Sequence, residues 1–352
     1  MSAVVFAHRR VRSGRGLPLA GLLALLLAMA VVGMASGAMP LPAGEVVGAL
    51  WRAVMGEAAR EGDLVVLMLR LPRVAMATLV GAALACSGAT MQGLFRNPLV
   101  EPGLIGVSAG AAVGAIGMIV LGGRLLAVLP SVLGSFGIAA AAFAGGLLAT
   151  VAVYVIGRRR PGVATLLLAG VAINAIAMAG VGLLTFLANE HQLRDLNFWT
   201  LGSLGGTDWT RLAAVAPLML PPLCLLPRYA PGLNALLLGE REAALLGFDP
   251  ERLRRELIAL VALATGAAVA MCGVIGFVGL LVPHVLRMIW GPDHRLLLPA
   301  SALAGAALLI GADAVARVAV VPAELPIGVI TALLGGPFFL WLLLRLRMGE
   351  GT

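Results

Sequence analysis

The sequence contains no lysine among its 352 residues, so its 25 Lys and Arg positions are all arginines. An ATPase of the P-loop type needs a lysine in its GxxxxGK[ST] motif, where the ammonium group reaches the nucleotide phosphates. The chain therefore has no ordinary ATPase site of that kind. If ATP drives its activity, another chain must bind the nucleotide.

Cysteine is almost as scarce. The 3 cysteines, Cys86, Cys224 and Cys272, lie far apart, each within an apolar segment, and no CxxC pair occurs. This spacing favours small buried side chains over a disulfide framework or a metal site. We therefore expect the chain to bind no metal.

Charged residues make up only 12% of the chain, whereas 61% of it is hydrophobic and its mean hydropathy is +1.02. A typical soluble domain is about 25% charged, so the composition predicts an all-α polytopic membrane protein. The net charge of +8 would suit nucleic acid. We exclude that partner because the arginines are confined to short gaps between apolar segments, as membrane topology requires.

The apolar segments predict one membrane domain, residues 1–352, that crosses the bilayer ten times. The predicted spans are residues 17–39, 71–95, 103–121, 131–156, 164–188, 210–227, 257–276, 280–290, 298–318 and 327–344. The first exceeds a signal-peptide core of about 7–15 residues, so we interpret it as an uncleaved helix after a basic N-terminus, residues 1–16. Most arginines fall on the side of both termini, which predicts cytoplasmic termini. Pro217, Pro221 and Pro222 predict an irregular sixth span.

Residues 81–98 align with residues 266–283 at a constant offset of 185, with identities at six of eighteen positions. Glycine and alanine are abundant in the chain, so chance is an alternative explanation. The offset equals five spans, an odd number, and the two copies would cross the membrane in opposite directions. We predict an inverted-topology repeat that relates helices 2–5 to helices 7–10, as in many transporters.

The stretch from Arg70 to Gly114 contains an apolar segment, a break at Asn97-Pro98-Leu99 and a second apolar segment. Irregular backbone at membrane depth is tolerated only where protein or a water-filled cavity surrounds it. The break therefore marks a pathway candidate. Its counterpart in the repeat lies at Pro283-His284.

Few polar side chains lie deep within the spans, and the clearest are Asn174, His284 and Asp313. A carrier driven by protons or sodium usually needs a longer series of ionisable groups, so the sequence disfavours one. His284 fits either a helix-start side chain or a ligand-binding group. His191, in the loop after the fifth span, fits either a solvated residue or a substrate contact.

Two charged regions have competing interpretations. Arg70, Arg73 and Arg317 lie near span ends, where they would either anchor helices or bind the carboxylates of an acidic partner. Residues 228–256 form either a solvated loop or a docking segment. We favour docking because Leu236–Gly239 and Glu240–Gly247 read as two short amphipathic helices ended by glycine.

Several segments resemble the permease subunits of bacterial ABC importers for iron-siderophores, haem and cobalamin. These segments are RLPR (70–73), GAALACSGATMQGLFRNPLVEPGLIGVSAGA (81–111), LLLAGVAIN (166–174), FWTLGSL (198–204), GFVGLLVPHVLRMIWGPDHRLLLP (276–299) and ELPIGVITALLGGPFFLWLL (324–343). The resemblance implies the type II importer fold, ten helices per subunit, and a homodimer in the bacterial inner membrane with the pathway on its two-fold axis. It also implies two ATPase subunits, which bind ATP and magnesium, and a periplasmic binding protein. No cofactor of this chain itself and no catalytic residue is implied.

The resemblance also assigns roles to residues. The ATPase-coupling residues would be Leu238, Gly239, Glu240, Ala243, Ala244 and Gly247. The binding protein would dock on Arg70, Arg73 and Arg317. The cytoplasmic gate would comprise Asn97, Pro98 and Leu99, with Thr165 as the one hydroxyl residue at the start of the fifth span.

For the substrate, the loop QLRDLNFWTLGSLGGTDW (192–209) is most similar to the haem-importing permeases. The possible contacts with haem are His191, Arg194, Asn174 and His284, with Arg194 suited to a propionate. A ferric siderophore, and less favourably cobalamin, are the alternatives within the family. Outside it, the alternatives are a carrier or channel that works without ATPases, and a membrane scaffold, which the interrupted helices argue against.

Overall fold

The structure is a computed structural model that describes residues 16–37, 39–58, 60–123, 131–159, 162–320 and 323–349. The predicted cytoplasmic N-terminus lies outside these residues except for Gly16. The helices are α1 (Gly16–Ala35), α2 (Ala43–Met55), α3 (Glu61–Leu64), α4 (Leu71–Leu94), α5 (Val107–Leu121), α6 (Ser131–Arg158), α7 (Val163–Leu187), α8 (Glu190–Leu201), α9 (Trp209–Leu225), α10 (Ala230–Leu238), α11 (Glu240–Leu245), α12 (Pro250–Cys272), α13 (Val278–Trp290), α14 (His294–Val318) and α15 (Ile327–Gly349). A π-helical turn, Val65–Arg70, joins α3 to α4.

The prediction of an all-α membrane protein is confirmed, since the described residues form helices and no strand. Seven helical segments are long and apolar enough to cross a bilayer, and three shorter apolar helices accompany them: Val107–Leu121, Val278–Trp290 and Ile327–Leu342. Together they match the ten predicted spans. The shortest, α13, has 13 residues and follows a break in the chain, as expected for the second interrupted helix.

The bundle has two distinguishable ends. At one end, which we call the α11 end, the last turn of α4 meets the start of α14, and Gly93 of α4 faces the His294 ring. At the same end α12 begins, with Arg254 bound to Glu240 of α11. Because α4 ends where α12 begins, the two aligned segments run in opposite directions, as an inverted repeat requires.

The other end, which we call the α8 end, collects α8, the π-helical turn before α4 and the end of α14. Gln192 of α8 donates to the carbonyls of Ile119 and Val120 at the end of α5. Trp209 donates to the carbonyl of Leu67 in the π-helical turn. Each end thus presents a different set of polar groups.

α4 is the central helix, and glycines allow its neighbours to approach it closely. A methyl group at Gly88 would lie 1.8 Å from the carbonyl oxygen of Gly279, at the start of α13. One at Gly81 would lie 2.3 Å from the carbonyl oxygen of Gly305 in α14. Small residues permit such backbone contact between membrane helices, where van der Waals packing drives association.

The prediction of an irregular sixth span is wrong. Trp209–Leu225 is one α-helix that contains Pro217, Pro221 and Pro222, and a single 3₁₀ turn, Leu226–Tyr229, follows it. α9 packs against both α12 and α4. Membrane helices tolerate proline where such neighbours hold the freed backbone groups in place.

Candidate functional site

A buried ion cluster lies at the α8 end, centred on Asp313 of α14. Its carboxylate, 1% exposed as a residue, accepts hydrogen bonds from Arg73 of α4 at 2.9–3.2 Å. Arg317 lies one turn away on α14, with its Nε 3.0 Å from Asp313 Oδ2. Arg73 also donates to Glu324, at 2.9 and 3.0 Å. One buried carboxylate is therefore shared by two guanidinium groups.

Arginines at this end of the bundle also donate hydrogen bonds to the backbone carbonyls at the end of α1. Arg70 donates to the carbonyl oxygens of Met34 and Ala35, at 2.6 and 3.1 Å, and also to that of Met39. Arg317 donates to the carbonyls of Gly33 and Ser36, at 2.6 and 2.9 Å. The last carbonyls of a helix have no partner within it, so these guanidinium groups serve as its cap.

The two interpretations of Arg70, Arg73 and Arg317 were helix anchors and docking groups for an acidic partner, and the structure gives all three partners within the chain. Arg70 and Arg317 are each 7% exposed, and the Arg73 side chain is 14% exposed. The sequence placed all three at span ends, and only the spacing of Asp313 and Arg317, four residues apart, indicated a partner within the chain. Glu324, with a side chain 46% exposed, is the part of the cluster that faces solvent. Arg73 lowers the pKa of Glu324 through the hydrogen bonds it donates.

A cavity of about 460 Å³ lies between the two interrupted helices. Its walls come from the 3₁₀ turn Pro102–Ile105, from α5, α7 and α12, and from the break before α13. Most lining side chains are apolar, and the polar ones are Glu101, Ser108, Asn174, Thr200 and Thr265. Its volume lies within the 300–1,000 Å³ typical of small-molecule sites.

The polar groups of this cavity converge on Gly103. Asn174 of α7 donates to the Gly103 carbonyl at 3.2 Å, and a methyl group at Gly103 would lie 3.4 Å from Glu101 Oε1 and 3.7 Å from Ser108 Oγ. Asn174 Oδ1 and Thr265 Oγ1 are buried without a hydrogen-bond partner among the described residues. Burial, which disfavours the charged carboxylate, raises the pKa of Glu101. Asn174 and Thr265 line the cavity, but these two oxygens are not exposed to it in this structure.

The cavity wall at the start of α13 is strained. Phe277 has φ of 67°, a left-handed conformation that is unfavourable for a bulky residue. It is held by α15, where a methyl group at Gly335 would lie 2.3 Å from Phe277 Cβ. Strained backbone often occurs at functional sites, so this wall belongs with the candidate pathway.

The four predicted substrate contacts do not form one cluster. Asn174 alone lines the cavity. His284 lies on α13 against Phe338 of α15, with ring centroids 6.0 Å apart in an edge-on arrangement. His191 and Arg194 are exposed on α8, whose N-terminus is capped by Asn189.

The predicted gate residues lie at the α11 end. Arg96, with φ of 52°, turns the chain after α4, and Asn97 Oδ1 accepts from the Leu99 backbone N–H at 2.9 Å. Pro98 is exposed and Leu99 half-buried. Thr165, in the first turn of α7, is at this end too, since Leu166 beside it shares a small cleft with Arg254 and Glu251 of α12.

The predicted coupling residues occupy α10, α11 and the turns after them. Two short helices separated at Gly239 are present, but the first begins at Ala230 rather than at Leu236. Gly239, with φ of 138°, separates α10 from α11, and the Arg254–Glu240 bond of 2.5 Å holds α11 against α12. Ala243 is fully buried, whereas Ala244 and Gly247 are exposed. Three large apolar side chains also face outward: Leu238, Leu245 and Leu246, at 68, 83 and 60% exposure.

Sequence reasoning missed Glu101, Ser108, Thr200 and Thr265 in the cavity. Glu101 follows the predicted break directly and could have been found there. The two threonines come from distant helices and carried no local signal. The spacing of Asp313 and Arg317 is that of neighbours on one helix face, so that ion pair was also predictable.

Comparisons with known proteins agree on one family. The model of the FecCD transport family matches residues 23–345. Hemin transport system permease protein HmuU of Yersinia pestis is 49% identical over 282 residues, 80% of this chain and 83% of that protein. Vitamin B12 import system permease protein BtuC of Klebsiella pneumoniae is 42% identical and covers 99% of both chains. A solved metal-chelate type ABC transporter in an inward-facing conformation superposes with a TM-score of 0.80 at 33% identity, over 93% of this chain and 98% of that one.

Proposed function

Because the chain belongs to the FecCD transport family of ABC importer permeases, we propose that its cargo is haem. The observation that carries the proposal is the 49% identity to a hemin permease. The vitamin B12 permeases named for Klebsiella pneumoniae and Halobacterium salinarum are 42 and 46% identical. The cavity supports passage of a macrocycle that is largely apolar and carries a few polar groups at its edge.

The pathway in this proposal lies between two copies of the chain. The cavity is walled on one side by α7, whose surface exposes large apolar side chains such as Leu168, Ile176 and Phe186, at 70, 68 and 85%. A second copy packed along α7 would enclose the cavity and complete the pathway. Lipid would cover the remaining apolar surface.

The partners follow from the two ends. Two ATPase subunits would dock on the exposed leucines of α10 and α11, and they would bind ATP and magnesium. A periplasmic binding protein would dock at the α8 end, with haem delivered near His191 and Arg194. Since Arg70 and Arg317 bind internal carbonyls, Arg73 is the docking arginine best placed to accept an external carboxylate, in exchange for the half-exposed Glu324.

Transport then proceeds by alternating access, and the cargo undergoes no chemical change. ATP binding would move α10 and α11, and the motion would open the gate at Asn97, Pro98, Leu99 and Thr165. No side chain of this chain acts as a catalyst in this mechanism. The protein would lie in the bacterial inner membrane with both termini in the cytoplasm.

Vitamin B12 is the second candidate, because the BtuC relative covers 99% of both chains. The oxygens of Glu101 and Ser108, which lie beside Gly103 in the cavity lining, would accept hydrogen bonds from amide groups.

The test is uptake by the permease, its ATPase and its binding protein reconstituted in proteoliposomes. The lumen contains an apo-haem protein whose absorbance reports haem arrival, and protein-free liposomes correct for spontaneous permeation. We expect ATP-dependent uptake of haem and none of cyanocobalamin or a ferric hydroxamate. Uptake of cyanocobalamin alone would overturn the haem assignment, and haem uptake without ATP would favour a carrier or channel.

A further inference from the structure

α10 is joined to α14 by a group of short polar contacts around Asn234. Asn234 Oδ1 accepts from the backbone N–H of His294 and faces the ring Nδ1, both at 2.9 Å. Asn234 Nδ2 donates to Asp293 Oδ1 at 2.7 Å. Asn234 Oδ1 thus contacts His294 at both its backbone nitrogen and its ring.

The His294 ring in turn touches the last turn of α4. The residue is fully buried, and a methyl group at Gly93 would lie 2.4 Å from its Nε2 and 3.0 Å from its Cε1. Glycine at this position allows the ring to rest against the α4 backbone. Any displacement of His294 toward α4 is therefore resisted by backbone atoms rather than by a flexible side chain.

Gly93 and its neighbour hold the gate loop, residues 95–101. The Gly93 carbonyl accepts from the Arg96 N–H at 3.2 Å, and the Gln92 carbonyl accepts from the Asn97 N–H at 3.1 Å. Gln92 also donates to the carbonyls of Gly279 and Leu280 at the start of α13, at 3.3 Å each. The last turn of α4 thus touches both the gate loop and the cavity wall.

We propose that Asn234 and His294 are positioning residues that transmit movement of α10 and α11 to the gate loop through Gly93. This relay rests on the proposed function, in which a partner ATPase moves α11. α10 and α11 are separated by Gly239 alone, and the Ala243 N–H donates to the Gly239 carbonyl at 3.0 Å. Buried, close-packed contacts of this kind transmit displacement because packed interiors have low compressibility.

The first experiment measures the gate in the purified permease, without cargo or partners. The background variant is Cys224→Ser, which removes the exposed cysteine and keeps the two buried ones. In that background, the rate at which maleimide labels a Leu99→Cys side chain measures the exposure of the gate. We expect Asn234→Ala to change that rate by about tenfold, within the range usual for coupling between two sites. His294→Ala should do the same, and the double variant should add nothing further, because the residues act in series.

The matched control is Thr90→Val, which removes a buried hydrogen bond internal to α4 and should leave the labelling rate unchanged. Gly93→Ala displaces the His294 ring from the α4 side. It replaces the Asn234 variant in this test if that variant does not fold. The relay is refuted if folded Asn234, His294 and Gly93 variants all label at the parent rate, or if the effects of Asn234→Ala and His294→Ala add.

The second experiment separates the relay from the proposed function. In the reconstituted complex we expect Asn234→Ala to retain ATP hydrolysis while haem uptake per ATP falls about tenfold. An unchanged ratio refutes the relay. Failure of the unaltered complex to transport haem refutes the cargo assignment, and the labelling result then decides the relay by itself.

Discussion

The two ends of the bundle use polar groups in opposite ways. At the α8 end, Arg70 and Arg317 are buried and Arg73 is partly buried. All three bind Asp313, Glu324 or the carbonyls of α1. At the α11 end, Leu245 and Leu246 are exposed and the gate loop turns through the left-handed Arg96. A buried, fully bonded cluster opens only at high free-energy cost, whereas exposed turns belong to the least stable part of a fold. The comparison suggests a fixed end and a movable end.

The largest effect should come from breaking the fixed end. Asp313→Ala leaves Arg73 and Arg317 without their shared buried carboxylate, and loss of one partner from a buried ion pair costs about 3–5 kcal/mol. SDS-induced unfolding in mixed micelles measures the loss. Glu324→Gln is the control, since it removes only the half-exposed partner of Arg73. If the two variants unfolded alike, Asp313 would not be the centre of the cluster.

The fold was largely predictable from the sequence because hydrophobic length decides where a chain crosses a bilayer. All ten spans were found, and the break after Phe95 was located by Asn97 and Pro98. The irregular sixth span predicted from the prolines of α9 was wrong, because the effect of a proline depends on the helices packed around it. No local sequence pattern reveals those helices. The mutual orientation of α4 and α12 was predictable only through the repeat.

A smaller effect is expected in the middle of the bundle, where the two ends are connected. Gly88→Ala would place a methyl group 1.8 Å from the Gly279 carbonyl oxygen, and relief by backbone movement should cost about 1–3 kcal/mol. The same unfolding assay detects it. Gly44→Ala, which meets nothing within 4 Å, should leave stability unchanged or slightly higher. Equal stability of both variants would show that α4 and α13 separate easily.

The site was less predictable than the fold. Asn174 was selected from its depth in a span, and the structure places it in the cavity. His284 was selected on the same ground but contacts Phe338 instead. Thr265 and Asn234 were not selected, because their neighbours come from helices remote in sequence. Arg70 and Arg73 show the general difficulty: their positions at a span end give no sign of whether their partners are internal.

A small loss of stability is expected at the solvent-facing edge of the fixed end, where Glu324 lies. Glu324→Gln should cost about 0–1 kcal/mol, as for other exposed ion pairs. The pKa of Glu324 is lowered in the folded protein, so its ion pair stabilises the fold at pH values above the ordinary carboxyl pKa. That contribution is lost as the pH falls through the lowered value. Unfolding profiles against pH should therefore differ between the two proteins at neutral pH and converge in acid.

The smallest effect on stability is expected at the movable end, where it should be accompanied by a large effect on assembly. Leu245→Ser combined with Leu246→Ser alters side chains 83 and 60% exposed, and such surface changes usually stay within about 0.5 kcal/mol. If these leucines fill a groove on the ATPase, the affinity of that subunit should fall at least about tenfold, as for interface anchors. Val54→Ser, 78% exposed on α2, is the matched change at the α8 end. Pull-down of the ATPase by each permease variant should separate the two, because Leu245 and Leu246 lie on the proposed ATPase-docking surface and Val54 does not. Equal ATPase binding by both variants would remove the docking role from α11 and leave the gate loop as the only mark of a movable end.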